Sequence, residues 1–475
     1  VTFLLCLLAA ATLAQAPPVL FQNLTLIDTP GAPAANGMRV LTRDGRIVAV
    51  GKHVRAPKGT LVVDGRGKYL IYGLADMHVH LRGGKDLVED NESWLKLFLA
   101  NGITTIRDMG GDLAAEVLQW RDEIREGRRE GPRILTCGPK LDGPKPAWPG
   151  SIPVTTPEEG RAAVRAVKAM NADFVKLYFA AVSSEVHAAI LEEARAQRLP
   201  VTGHLPGNLS FREVTARGQN LEHGFYPVLD GASTKAAEIR AEFAQAPDPH
   251  AAEAFRAMRR RQLDSFDPNL VPQVAEHLKE TGTWVTMTLT VGGRRLNLPA
   301  DNYATHPLRK YMYPGIWKTW DLESGRRKAP AADGIRQTQQ NLRRAREAVL
   351  VFHRVGVSML AGSDCGASNN FAWPGWSLHE ELAAFVDSGL SPLDTLRLAT
   401  RSPARFLKEE PDRGTIEKGK IADLVLLDAN PLEDIRNTQK IAGVMARGKW
   451  YDRRALDKML AEVEAGAARR SASGR

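Results

Sequence analysis

Cysteine is almost missing. Three residues, Cys6, Cys137 and Cys365, serve a chain of 475. So few cannot build a disulfide framework, and Cys137 and Cys365 read as small, partly buried thiols. Internal repeats and long low-complexity linkers are also lacking. No apolar run reaches the length of about 20 residues that a membrane-spanning helix needs. Lys and Arg outnumber Asp and Glu by 64 to 55, a net charge of +9 with a pI near 9.4. These basic residues are scattered, with only local clusters such as Arg259-Arg260-Arg261. No stacking aromatics accompany them, so the pattern is a basic surface open to anionic substrates and not a nucleic-acid groove. What is present is an ordinary globular composition, 43% apolar and 25% charged. The length suits one large barrel plus a satellite domain.

Residues 2–16 form an apolar run ending in Ala14-Gln15-Ala16, before Pro17-Pro18. Small residues flanking a cleavage point predict a signal peptide over 1–16 and a periplasmic or secreted protein. Residues 17–70 alternate short apolar runs with turn residues, as in Arg46-Ile47-Val48-Ala49-Val50-Gly51. They predict β-hairpins and the first part of a small β-sandwich. From Ile71 the rhythm changes to strands alternating with helical stretches, such as 157–171, 184–198, 377–388 and 392–400. Strand ends are expected near His80, Gly110, Gly138, Tyr178, Leu205, Phe225, Thr290 and Asp364. The expected fold class is therefore α/β, a (β/α)8 TIM barrel over 71–408. Residues 409–452 return to hairpin character and complete the β-sandwich from the other end of the chain. Residues 453–475 read as a frayed helix and polar tail.

One stretch, Ala75-Asp76-Met77-His78-Val79-His80, ends the first barrel strand. Side chains alternate faces along a strand, so both imidazoles point the same way and can grip one metal ion. Alone, this spacing is a weak signal. Further residues of ligand type follow at later strand ends: Lys176, His204, His223 and Asp364. Each has a plain alternative, since a strand histidine is often hydrogen-bonded core and a strand-end aspartate often caps the next helix. The case rests on their joint placement at one end of a barrel, where barrel enzymes build active sites.

With these residues stand Gly102-Ile103-Thr104-Thr105-Ile106-Arg107-Asp108-Met109-Gly110, Thr400-Arg401-Ser402-Pro403-Ala404-Arg405 and Gly419-Lys420-Ile421-Ala422-Asp423-Leu424-Val425. On this set the chain resembles the metal-dependent amidohydrolase superfamily. Within it, the likeness is to the imidazolonepropionase-related group, with its amidohydrolase-type prolidases and carboxypeptidase-like amidases. The resemblance implies His78, His80 and Asp364 as ligands of one metal ion, and His204 and His223 as ligands of a second. Lys176 would bridge them as a carbamate formed with CO2; the alternative is an unmodified lysine beside a single metal. Imidazole and carboxylate donors suit Zn2+, with Mn2+ or Co2+ as substitutes. The implied nucleophile is a hydroxide bridging the ions, with Asp364 as general base and then acid. Tyr226 or Tyr178 would face the oxyanion; packing at the barrel rim is the plainer role for either.

Substrate recognition is less legible. A long segment after the seventh strand, 291–345, carries Arg294, Arg295, Tyr303, Tyr311, Trp317 and Trp320 and reads as a lid. Phe371, Trp373 and Trp376 follow the eighth strand. Together they suggest an apolar or aromatic substrate with a carboxylate held by Arg or His. Subunit contact in a homo-oligomer is an equal use for such aromatics. The expected function is a binuclear metal-dependent amidohydrolase cleaving an amide or peptide bond. Its substrate would be a dipeptide, an N-acyl amino acid or a related carboxylate, with neither nucleic acid nor membrane as partner. The competing reading is a mononuclear hydrolase or deaminase of cyclic amides or heterocycles, of the imidazolonepropionase type. A non-enzymatic scaffold fits worst, because all six ligand-type residues are retained.

Overall fold

The computed structural model describes residues 17–29, 32–297, 305–321, 332–367 and 369–472. The expected signal peptide at 1–16, Tyr303 and the Arg295 side chain lie outside them. The fold is mixed α/β, with three sheets among the described residues. Eight strands carry the site: β1 (Leu74–His80), β2 (Ile103–Asp108), β3 (Arg133–Thr136), β4 (Val175–Leu177), β5 (Val201–Gly203), β6 (Asn220–Glu222), β7 (Trp284–Thr286) and β8 (Ser358–Leu360). Their pairings are all parallel. β1, β2 and β3 adjoin in one sheet, and β4 to β8 run in sequence order in another. Every residue of β1 and β2 is buried, as expected of strands covered on both faces.

Backbone hydrogen bonds also cross between these two sheets. On one side Asp173 N donates to Thr136 O at 2.8 Å. On the other, Met77 N donates to Ala361 O at 3.0 Å and Asp364 N to His78 O at 2.7 Å. Helices fill the connections. Pro157–Ala169 opens with a capping box between Thr156 and Glu159 and with Pro at its start. Ser184–Ala196 is capped by the Ser183 hydroxyl.

Both ends of the described chain meet in an eight-stranded sheet. Leu424–Leu427 pairs with Tyr69–Tyr72, which lies beside Val19–Thr29. The sheet curls back on itself: Ile47 N donates to Lys420 O at 2.8 Å and Ala422 N to Gly45 O at 2.9 Å. Its own apolar core includes Phe21, Leu26, Ile47, Leu424 and Met445, and Phe21 meets Trp450 edge-on with ring centres 4.9 Å apart.

Two expectations need correction. Strand β7 ends at Thr286, not near Thr290, and Leu289–Asn297 is helical. The cause is distant: the Glu381 carboxylate accepts from Leu289 N at 3.0 Å and from Thr290 N at 2.7 Å, capping that helix from another element. Among the described residues that follow are helices at Pro314–Trp320 and Ala332–Val355. The expected C-terminal helix is present but is packed, not frayed. Arg453–Ala472 is a helix that buries Leu456, Met459 and Val463, and it packs on Val88–Ala100. Leu456→Ala should cost about 2–5 kcal/mol, because the side chain is fully buried; a urea titration would read this as a lower midpoint with an unchanged slope.

Candidate metal centre

His78 and His80 leave β1 on one face, as period-two geometry requires. Their ring centres are 5.2 Å apart. His204 and His223 follow β5 and β6 directly, and Asp364 lies just beyond β8. His223 and Asp364 turn the chain with φ of 58° and 52°, a left-handed conformation unusual for non-glycine residues. Gly362 lets β8 approach: a Cβ there would sit 2.7 Å from the His78 Cβ.

The result is a convergence. Asp364 Oδ1 lies 3.5 Å from His78 Nε2 and 3.2 Å from His80 Nε2. Asp364 Oδ2 lies 4.0 Å from His223 Nδ1. The ring of His223 is 4.9 Å from that of His78 and 4.4 Å from that of His204. Ligand atoms of His78, His223 and Asp364 all fall within 4.8 Å of one another. Lys176 is buried on β4, and its charge acts on His78, His204 and His223. Tyr178 packs against His204, ring centres 4.3 Å apart, and Tyr226 against His223 at 5.9 Å.

Electrostatics fit the donor set. Burial pushes all four imidazoles below their usual basicity, so they stand neutral, the form that binds metal. Burial raises the Asp364 carboxyl, but His78, His80 and His223 outweigh it and hold it well below the usual range, ionised. Burial lowers Lys176 to about 8. Three buried atoms here have no hydrogen-bond partner among the described residues: His78 Nε2, His204 Nδ1 and Lys176 Nζ. Unpaired buried polar atoms are costly, and three in one cluster fit a set of metal-ion donors better than a purely structural core.

Several supporting residues escaped the sequence reading. Glu222, next to His223, accepts from His78 Nδ1 at 2.8 Å and so leaves Nε2 as the free lone pair. Arg107 is buried and donates to Glu222 at 2.8 Å, to Met77 O at 2.7 Å and to Thr286 Oγ1 at 3.1 Å. Thr202 Oγ1 donates to Glu222 as well. His223 Nδ1 pairs with Thr288 Oγ1 at 2.8 Å. Lys140, also buried, donates to Gly110 O at 3.3 Å. A charged residue inside an apolar strand run was the available signal for Arg107 and Glu222.

Beside this cluster lies a cavity of about 260 Å3. Its walls include His80, His204, His223 and Asp364, both tyrosines, and Arg82, whose guanidinium stacks 3.8 Å over Trp148. The aromatics expected to meet substrate lie elsewhere. Trp320 and Trp373 are fully buried against each other, and Tyr311 stacks on Trp376. They pack the segment to the fold because their large apolar faces find each other. The other histidines are structural where partners are seen: His187 bonds Gln219, and His379 bonds Asn101 O.

The Amidohydrolase family matches this chain over residues 69–451. A dihydroorotase from Pelobacter propionicus is 30% identical over 199 residues, which are 39% of this chain and 42% of the relative. The chain thus spans less than half the length of that relative. An ochratoxinase from Aspergillus niger is 24% identical over 475 residues, covering 87% of this chain and 82% of the relative. In structure, a Xaa-Pro dipeptidase with methionine bound in its active site aligns with a TM-score of 0.66 at 18% identity, over 92% of this chain and 100% of the other.

Glu222→Gln should weaken metal affinity by about 10–100-fold while keeping the shape of the site; titration with a chromogenic chelator would check it. Glu222→Ala should in addition lose about 3–5 kcal/mol of stability, because Arg107 is left buried without its counter-charge.

Proposed function

The chain belongs to the amidohydrolase family, and from that premise we propose that it is a metal-dependent hydrolase of an amide or peptide bond. One observation carries this reading. Three buried ligand-type atoms without partners, on His78, His204 and Lys176, surround an ionised Asp364. We propose that β1 to β8 form one closed (β/α)8 barrel around them, a reading supported by the hydrogen bonds that cross between the two sheets. His78, His80 and Asp364 would hold one divalent ion, and His204 and His223 a second. Zn2+ suits this set. Lys176 would join them as a carbamate: its neutral amine adds to CO2, forming an N–C bond and releasing a proton. The carbamate offers two anionic oxygens, where an ammonium would repel cations.

Bound ions would supply an activated water and a polarised carbonyl. The protein does the rest. Asp364 accepts the proton that the attacking water gives up, and later delivers it to the leaving nitrogen as the C–N bond breaks. The Tyr178 and Tyr226 hydroxyls stand on the cavity wall as donors for the developing oxyanion. Arg82, buried and flattened on Trp148, would take a substrate carboxylate. At about 260 Å3 the cavity lies just below the usual range of ligand sites, ~300–1,000 Å3. That favours a dipeptide or N-acyl amino acid over a longer peptide.

A single-ion variant has one observation in its favour: among the described residues, the compact ligand set is His78, His223 and Asp364 alone. Export remains part of the proposal, resting on the apolar run at 2–16, whereas the aromatics after β7 are taken up in packing and no longer favour a homo-oligomer. Among the described residues no helix is long and apolar enough to cross a membrane.

Chelation should abolish turnover of dipeptides and N-acyl amino acids, and Zn2+ should restore it. Elemental analysis should find two ions per chain. Lys176→Ala should hold one and lose activity by about 100-fold or more, with partial rescue by a short carboxylic acid that replaces the bridge. Full activity in that variant, or one ion in the native enzyme, would remove the carbamate.

A further inference from the structure

The cavity wall carries two hydrogen-bond acceptors that the chemistry above leaves unused. Asn369 lines the cavity close to Asp364 and is almost fully buried. Its amide nitrogen donates to the backbone oxygen of Asp364. That bond fixes which way the carboxamide faces, since a carbonyl can meet only the NH2 end. The Oδ1 is left buried, with no partner among the described residues. Asn341 lies on the helix Ala332–Val355. Thr338, Asn341, Leu342 and Ala345 all line the cavity, and their spacing makes one helix face. The Asn341 Oδ1 is also buried without a partner.

A carboxamide oxygen accepts and cannot donate. Buried and unpaired, it is unfavourable, so native folds rarely leave one without a reason. Two lining one cavity mark a place for a donor. Leu289, Val291, Leu342 and Ala345 line the cavity together with Asn341, while Asn369 lies beside Asp364. A neutral acceptor in such a wall suits an N–H group that arrives with the ligand. If the carboxylate end of the substrate lies against Arg82, the group remaining at the other end of a dipeptide is its free amine.

We propose that Asn341 and Asn369 are specificity-determining residues that receive the free amino group of the substrate. The preferred class is then unblocked dipeptides with an apolar first residue, over N-acyl amino acids that lack that amine. This inference rests on the hydrolase reading given above.

The test pairs Leu- and Met-initiated dipeptides with their desamino forms, in which the amine is replaced by hydrogen and nothing is added in bulk. The metal-loaded native enzyme should favour the free dipeptide by about tenfold or more in kcat/KM. Asn341→Leu, similar in volume, should lower kcat/KM for the free dipeptide by about tenfold, mainly through KM, and change the desamino partner by less than about threefold. Asn341→Asp keeps the acceptor and adds a negative charge, so it should keep or widen the preference. It also serves if the Leu variant does not fold. Equal turnover of both partners by the native enzyme would overturn the inference and leave the hydrolase reading standing. So would an equal loss on both partners in Asn341→Leu, or a collapsed preference in Asn341→Asp. Failure to turn over any pair would overturn the hydrolase reading and this inference with it.

Discussion

A buried ion pair at the heart of the strands, Arg107 with Glu222, is the constraint on which the rest depends. Both side chains are about 1% exposed. Taking two such charges out of water costs several kcal/mol each, by rough estimate, and their attraction repays this only when every remaining hydrogen-bonding position is filled. Here they are filled from all around. Arg107 on β2 reaches Met77 O on β1 and Thr286 on β7. Glu222 on β6 takes the Thr202 hydroxyl from β5 and the His78 imidazole from β1. Five strands therefore meet in one polar knot, and that knot sets the orientation of the His78 imidazole.

From that knot the site grows outward. The His78 ring is held by one nitrogen and offers the other toward Asp364. His223 is held through Nδ1, by Thr288 Oγ1. Asp76, buried beneath them, receives the Ser363 hydroxyl at 2.6 Å and the Ser363 amide at 2.9 Å. This fixes the turn that presents Asp364. Burial raises the Asp76 carboxyl to about 7, against the Ser363 and His78 hydrogen bonds that favour its ionised form. Rigid supports of this kind let ligand atoms wait near one another without filling each other's bonding capacity.

The candidate ligands could be picked out in the chain because each lies at or near the end of an apolar strand run, where period and position both signal a site. The pair at His78 and His80 could be read from alternation alone. Arg107 and Glu222 could not, since a charge in a strand looks like a solvent-facing residue until its partner is known. That partner lies 115 positions away. The helix after β7 was missed for a similar reason. Its cap is Glu381, about ninety residues downstream. The C-terminal helix showed its apolar stripe at Leu456, Met459 and Val463, but the surface it covers, Val88–Ala100, lies at the far end of the sequence. The aromatics after β7 were visible as a group, and only packing reveals that they serve one another and not a ligand.

The cavity is assembled from two separate sources. Strand ends supply one pole, with histidines and aspartate tied into the ionic knot below. The helices Leu289–Asn297 and Ala332–Val355 supply the opposite wall, and that knot makes no bond to them. The helical wall, Asn341 included, is therefore carried on different stretches of chain from the strand-end cluster. A lineage could redraft the second wall, residue by residue, and acquire new diets while its reactive pole stayed untouched.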